Sequence, residues 1–326
     1  MSVGVRVFWL GLAAAAACSR SGGVADEDLG GLVVAAKPVD APIDVARAAS
    51  DPGELGRALA RPFRAEATAL GPHALTIETQ TDVATGGAPV STLADKTVIE
   101  LGEAGAWHAV YTNSADYGRE ATAPAGGKDL YLRPRYQRWH HRAPETPEEP
   151  GQLEDSFAGA LGATWDLVAP GVELTDLGAV QVGARAGRKI AVKLAPQPRA
   201  PDAEPLPQRK WREHRRVEAL AGEVVLDTDK GVPLSVQLSG TVGFTRDGKP
   251  YEMKLTLTSA VAGIGTAVAI TTPADADSVA TPERLREVDD RDFLLQGMAP
   301  ASRAKPSEPA GSGAGSGSGS AARKSP

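Results

Sequence analysis

VEALAGEVVLDTDKGVPLSVQLSGTVGFTRDGKPYEMKLTLTSAV (217–261) is three β-rich runs separated by two tight turns. The first turn is DTDKG (227–231) and the second RDGKP (246–250), and both carry the Asp/Gly chemistry that hairpins require. Along the third run Met253, Leu255 and Leu257 alternate with Lys254, Thr256 and Thr258. A period of two places the apolar set on one face and the polar set on the other, so this sheet has one covered wall and one wetter wall. GTAVAITTP (265–273) reads as a fourth strand.

The same grammar extends upstream. VELTDLGAVQV (172–182) and RKIAVKLAP (188–196) read as strands, and the Pro-rich PQPRAPDAEPLPQ (196–208) as an exposed loop between them and the quoted stretch. Leu153, Phe157, Ala160, Leu161, Thr164, Trp165 and Val168 recur at helical spacing until Pro170-Gly171 stops them. Further back, LTIETQTDV (75–83), KTVIEL (96–101), AWHAVYTNS (106–114) and DLYLRPRYQRWHH (129–141) read as strands, as does FRAEATAL (63–70), which also alternates. Ser50-Asp51-Pro52 opens one short helix through Ala60, and PERLREVDDRDFLLQG (282–297) reads as a last one. The fold class expected is mainly β (a β-rich α+β chain): a large antiparallel sheet with a few short helices. It forms one domain over 49–298, in two sheet halves joined near 143–171.

The ends read differently. MSVGVRVFWLGLAAAAACSRSGG (1–23) has one basic residue, Arg6, then an apolar run from Val7 to Ala17. Eleven residues are too few to span a bilayer and suit a signal peptide over 1–17. Ala15-Ala16-Ala17 before Cys18 resembles the lipobox of bacterial lipoproteins, although Ala15 stands where Leu is usual. That resemblance implies cleavage between Ala17 and Cys18 and acyl chains on Cys18, which would hold the protein to a membrane. A plain A-x-A cut by an ordinary signal peptidase, or an uncleaved anchor, is the alternative. Cys18 is the single cysteine of 326 residues, so disulfides cannot staple the fold, and lipidation gives the thiol a role. Ser19 after it, in place of Asp, fits outer-membrane sorting by the enterobacterial rule. Residues 18–48 read as a tether and 299–326 as a disordered Gly/Ser/Pro-rich tail.

With 35 basic and 41 acidic residues the chain carries a formal charge of −6, which speaks against a nucleic-acid partner. Few residues suggest chemistry. His140 and His141 are neighbours on a strand, so they point to opposite faces and cannot share one metal. Arg135, Arg138 and Arg142 beside them repel cations. His73, His108 and His214 show no ligand spacing. Glu287, Asp289, Asp290 and Asp292 lack the pattern of a Ca²⁺ loop. Gly263-Ile264-Gly265 joins strand to strand and has Val268 where a dinucleotide fingerprint needs Gly. No serine sits in a G-x-S-x-G elbow. Thus no catalytic, metal or cofactor residue is expected, and an enzyme would have to be a hydrolase with dispersed residues. RKWREHRR (209–216), with Arg133, Arg135, Arg138 and Arg142, is the one concentration of positive charge. It reads as a surface facing anionic lipid or an acidic polymer, or as a solvated face balanced by nearby carboxylates. Trp107, Tyr111, Tyr131, Tyr136, Trp139 and Trp165 read as core rather than as a cavity lining.

The segment from GEVVLD to ITTP (222–273) is similar to the second half of periplasmic lipid-carrier lipoproteins of the LolA/LppX/LprG type. The likeness is an Asp-containing turn with Gly-x-Pro (Asp229, Gly231, Pro233), long amphipathic strands, and a close like Ile270-x-x-Pro273. It implies a curved, half-open sheet or half-barrel with helices in its mouth, binding acyl chains in the hollow. Two features depart from it: the N-terminal helices are reduced to one candidate, and the insert at 196–208 is foreign. The function expected is a membrane-anchored envelope lipoprotein carrying a lipid or other hydrophobic ligand. The alternative is a non-enzymatic interaction or structural module with a filled core. An apolar hollow of several hundred Å³ is the mark of the first, and a packed interior that of the second.

Overall fold

The computed structural model describes residues 41–204 and 207–282. Helices α1 (Val45–Ala48), α2 (Pro52–Leu59) and α3 (Phe63–Leu70) come first. Six strands follow: β1 (His73–Thr85), β2 (Ala88–Leu101), β3 (Trp107–Asn113), β4 (Gly118–Ala123), β5 (Leu130–Pro134) and β6 (Trp139–Arg142). Helices α4 (Glu149–Ala158) and α5 (Ala160–Val168) lead to β7 (Val172–Val182) and β8 (Arg185–Leu194). A 3-10 helix (Pro207–His214) precedes β9 (Arg216–Asp227), β10 (Pro233–Arg246) and β11 (Lys249–Ala262), and β12 (Ser278–Ala280) is the last described strand.

Among the described residues the twelve strands form one curved, open sheet in the order β12-β6-β5-β4-β3-β2-β1-β11-β10-β9-β8-β7. Two meanders, β1 to β6 and β7 to β11, meet where β1 pairs antiparallel with β11, Ile77 opposite Ser259 and Thr79 opposite Leu257. The α4–α5 segment is the crossover between them. Every neighbouring pair is antiparallel except β12 on β6. The expected mainly-β class with a large curved sheet and short helices is therefore the observed one.

The helices lie on one face of the sheet. α4 packs on β2 and β3, and α5 on β1, β10 and β11, while α3 rests on α4 and α2 on α5. Helices of four to ten residues are marginal alone, so burial on the sheet is what holds them. Leu55, Leu59, Phe63, Phe157, Leu161 and Trp165 enter one cluster with Leu75, Ile77, Ile99, Val224, Val236, Leu238 and Leu257 of the strands.

Five sequence expectations are corrected. FRAEATAL is helix α3, not a strand, because Phe63, Glu66, Ala67 and Leu70 are its buried residues, at spacing i, i+3, i+4 and i+7. A run that alternates can satisfy both periods, and the α4 surface selected the helical one. The N-terminal helices thus number three among the described residues. The body also begins before residue 49, since Ile43 and Val45 pack on the core and Ala48 is fully buried. DLYLRPRYQRWHH is a hairpin, β5 and β6, turned at Tyr136 with φ +66°. GTAVAITTP is not a strand: Gly263 (φ +64°) and Gly265 (φ +78°) turn the chain off β11, and the Gly265 N–H donates to the Pro72 carbonyl. The segment then runs past Gly102, where a Cβ would lie 2.7 Å from the Val268 carbonyl oxygen, and reaches β6 as β12. The helix expected over 282–297 lies outside the described residues beyond Pro282.

The turn that carried the family likeness is organised by a residue outside the motif. Asp227, 1% exposed, accepts from Arg185 Nε at 2.7 Å and from the backbone N–H of Asp229 (3.1 Å) and Lys230 (2.7 Å). Gly231 (φ +68°) lies under Ile43, 2.5 Å from where its own Cβ would be. The turn is therefore a seat for the incoming N-terminal segment.

Candidate functional site

Directly paired residues share a face, so the ladders define what lines the helix-covered side. Over β9, β10 and β11 that side is aliphatic: Val224, Leu226, Val236, Leu238, Val242, Met253, Leu255 and Leu257, all buried. α5 covers part of it, with Leu161 and Trp165 inserted. Near the strand ends Trp211 of the 3-10 helix meets Phe244 with ring centroids 4.6 Å apart, and Phe244 stacks on Tyr251 at 5.3 Å. A groove of about 380 Å³ opens there, lined by both charged and apolar groups including His214, Arg216, Glu218, Tyr251 and Glu252. It is a surface cleft, not an apolar hollow.

Over β1 to β4 the same side carries the apolar row Leu75, Ile99, Ala109 and Ala121 and, beside it, a polar group. Ile77, Thr97, Tyr111 and Arg119 form one row, and Thr79, Asp95 and Asn113 the next. The Tyr111 hydroxyl donates to Asp95 Oδ1 at 2.6 Å and accepts from Asn113 Nδ2 at 3.0 Å, and Thr79 Oγ1 donates to Asp95 Oδ2 at 3.2 Å. Burial and the Asp95 carboxylate raise the Tyr111 phenol above its ordinary value. Arg119, buried, lies 4.5 Å from the Phe157 ring centroid and donates to Ser156 on α4. This group was missed in the sequence, although Asp95, Tyr111, Asn113 and Arg119 at inward positions of alternating strands were its signal.

The opposite face of the same strands carries a charged ladder. His108 is clamped by Glu120 (Nε2 to Oε1, 2.8 Å) and Glu100 (Nδ1 to Oε2, 3.2 Å). Arg133 also pairs with Glu120 and sits 4.6 Å from the Trp139 ring centroid. The Glu120 hydrogen bond, aided by Glu100, raises the imidazole above its usual value despite partial burial. With both ring nitrogens engaged by carboxylates, His108 holds a charge rather than moving a proton.

The sequence-selected residues are dispersed. Cys18, Ala17 and the acidic set Glu287, Asp289, Asp290 and Asp292 lie outside the described residues. His140 and His141 face opposite sides, opposite Leu132 and Tyr131, and His141 Nδ1 is 2.8 Å from Asp129 Oδ2. Among the described residues no group of three or more His, Cys, Asp or Glu could hold a metal ion. No described helix is long and apolar enough to cross a membrane. Trp107, Trp139 and Trp165 are buried, as expected of core, but Tyr136 is 78% exposed.

The basic run 209–216 resolves into a clamp. Arg215, 5% exposed, donates from Nε to the Leu167 carbonyl (3.0 Å), from Nη1 to that of Arg212 (2.7 Å) and from Nη2 to that of Asp166 (2.9 Å). Two of these carbonyls end α5, where a cation is favoured. Arg212, also buried, pairs with Asp166 at 2.5 Å and Glu204 at 3.4 Å, while Lys210 pairs with Glu213 and Arg216 with Glu218.

No family model matches the chain, and neither does any curated protein. Solved structures do. LprF from Mycobacterium bovis is 15% identical over 69% of this chain and 99% of that one, at a TM-score of 0.25. The lipoprotein LppX from Mycobacterium tuberculosis is 13% identical over 63% and 94%, at 0.22. A DUF1329 family protein from Desulfovibrio piger is 11% identical over 70% and 97%, at 0.20. Overlaps this weak assign neither a family nor a ligand.

Proposed function

We propose that this is an envelope lipoprotein, held to the membrane by acyl chains on Cys18, whose folded body is a non-enzymatic interaction module with a filled core. What supports this most is the packing of the helix-covered face. Phe63, Leu55, Leu161, Trp165 and Phe157 fill the space over the strands, with each side chain at most 4% exposed. With these side chains buried against the strands, the module's binding capacity lies on its outer surfaces. Ser19 favours the outer membrane.

A second reading, a carrier of a lipid or other hydrophobic ligand, draws support from the shortness of the covering helices. None can persist by itself, so acyl chains could take their place on the aliphatic strands. Native mass spectrometry of the protein purified from its own envelope separates the two. The module reading expects no co-purifying lipid and no loading from added phospholipid; a stoichiometric lipid adduct would replace it with the carrier. Membrane fractionation of Cys18→Ala tests the anchor by itself: the variant should move to the soluble fraction, and unchanged fractionation would sink the lipidation.

A further inference from the structure

Two carboxylates are buried where α3 meets α4. Glu66 of α3 is 3% exposed and Glu154 of α4 is 4% exposed. Glu154 Oε1 has no hydrogen-bond partner. Next to it Asp155 accepts from the Arg64 backbone N–H at 3.1 Å and lies 3.5 Å from Arg64 Nε. Arg64 is half exposed, so its charge is shared with solvent. The other charged groups around this junction are Arg61 ahead of α3, which acts on Glu66, and Glu149 at the far end of α4, paired with Arg142. On the sheet beneath α4 they are Asp95 and Tyr111, bound to each other, and Arg119, which reaches α4 one turn along, at Ser156 and Phe157. His73 stands behind Phe63, its Nδ1 donating to the Gly71 carbonyl at 2.7 Å. A native body that leaves a carboxyl oxygen unpaired at a helix junction holds that group neutral, because an ionised one would be expelled toward water.

We propose that the α3–α4 junction is a proton-held latch: Glu154, with Glu66, closes the helix layer when neutral and lets α4 lift from α3 and the sheet when ionised. Lifting α4 withdraws Phe157 from Trp107, whose ring centroids are 6.5 Å apart, and bares the inner face of β2 and β3. The inference goes beyond the module reading and does not depend on a ligand.

The direction follows from linkage. Burial pushes the Glu154 carboxyl up to about 8, against 4.5 when solvated. Its contribution to closure is complete below the solvated value, declines as pH rises and is exhausted above the closed-state value. From those two values the opening constant should rise about 70-fold between pH 5 and pH 7 from Glu154 alone, and level off above about pH 8. Burial also raises Glu66 and Asp155, which act in the same sense.

Amide hydrogen exchange of the full chain, read by mass spectrometry from pH 5 to 9 and divided by intrinsic rates, tests this. Protection of α3 and α4 should fall by about 70-fold or more between pH 5 and 7 while that of β9–β11 stays level. Glu154→Gln should remove its part of the fall, and the double variant with Glu66→Gln should keep only the smaller fall that Asp155 contributes. A level α3–α4 profile in the unmodified protein would overturn the latch even if the variants fail to fold, as would a Gln variant that keeps the whole fall.

Discussion

Replacing Arg215 by Met probes whether the basic segment works inward or outward. The guanidinium makes three hydrogen bonds of 2.7–3.0 Å to carbonyls of Asp166, Leu167 and Arg212 and is 5% exposed. Charge-assisted bonds are worth about 1.5–3 kcal/mol each, so the three set an upper bound of about 4.5–9 kcal/mol. Against this stands the cost of burying the guanidinium, several kcal/mol, the same desolvation that lowers the proton affinity of Arg215. Met recovers that cost but leaves two α5 carbonyls without their donor, so the net loss should be about 2–3 kcal/mol. Lys keeps a buried charge yet offers a single point donor in place of the planar fork, and it should cost at least as much as Met. Urea unfolding of the full chain, compared at unchanged denaturant slope, gives both numbers. A Met variant within about 0.5 kcal/mol of the parent would mean the clamp carries no stability, since that is the scale of an ordinary surface change. A harmless Lys variant would refute the fork geometry.

Two further outcomes follow from the same packing. Gly231→Ala, at φ +68° and with Ile43 2.5 Å from the new Cβ, should destabilise by about 1–3 kcal/mol and raise proteolysis near residue 43; a neutral variant would mean that the N-terminal segment does not rest on this turn. His108→Gln should lower the melting temperature most at acid pH. The folded imidazole binds its proton more tightly than the unfolded one, so its contribution is full below the ordinary histidine value and fades as pH rises through the raised value. A parent–variant gap as large at pH 9 as at pH 5.5 would contradict the imidazolium clamp.

The sequence by itself determined the strands whose pattern has only one reading. The hairpins at 227–231 and 246–250, the alternation through Met253, Leu255 and Leu257, and the opposed His140 and His141 all stand in the fold as local chemistry dictates. Period two and Asp/Gly turns are properties of a short window, so no distant contact is needed to read them. FRAEATAL fits two periods, and the α4 surface chose between them. GTAVAITTP has strand composition but no free neighbour, because β1 already occupies the edge of β11. The burial of Arg212 and Arg215 was hidden for the same reason: a charge run shows where charge lies in the chain, not that a helix end 48 residues earlier waits for it. The Asp95–Tyr111–Asn113–Arg119 rows exist only once register aligns three strands, and the burial of Glu154 only once two helices exclude water from it. Turn chemistry and period are local, whereas burial and pairing depend on which segment arrives from far along the chain.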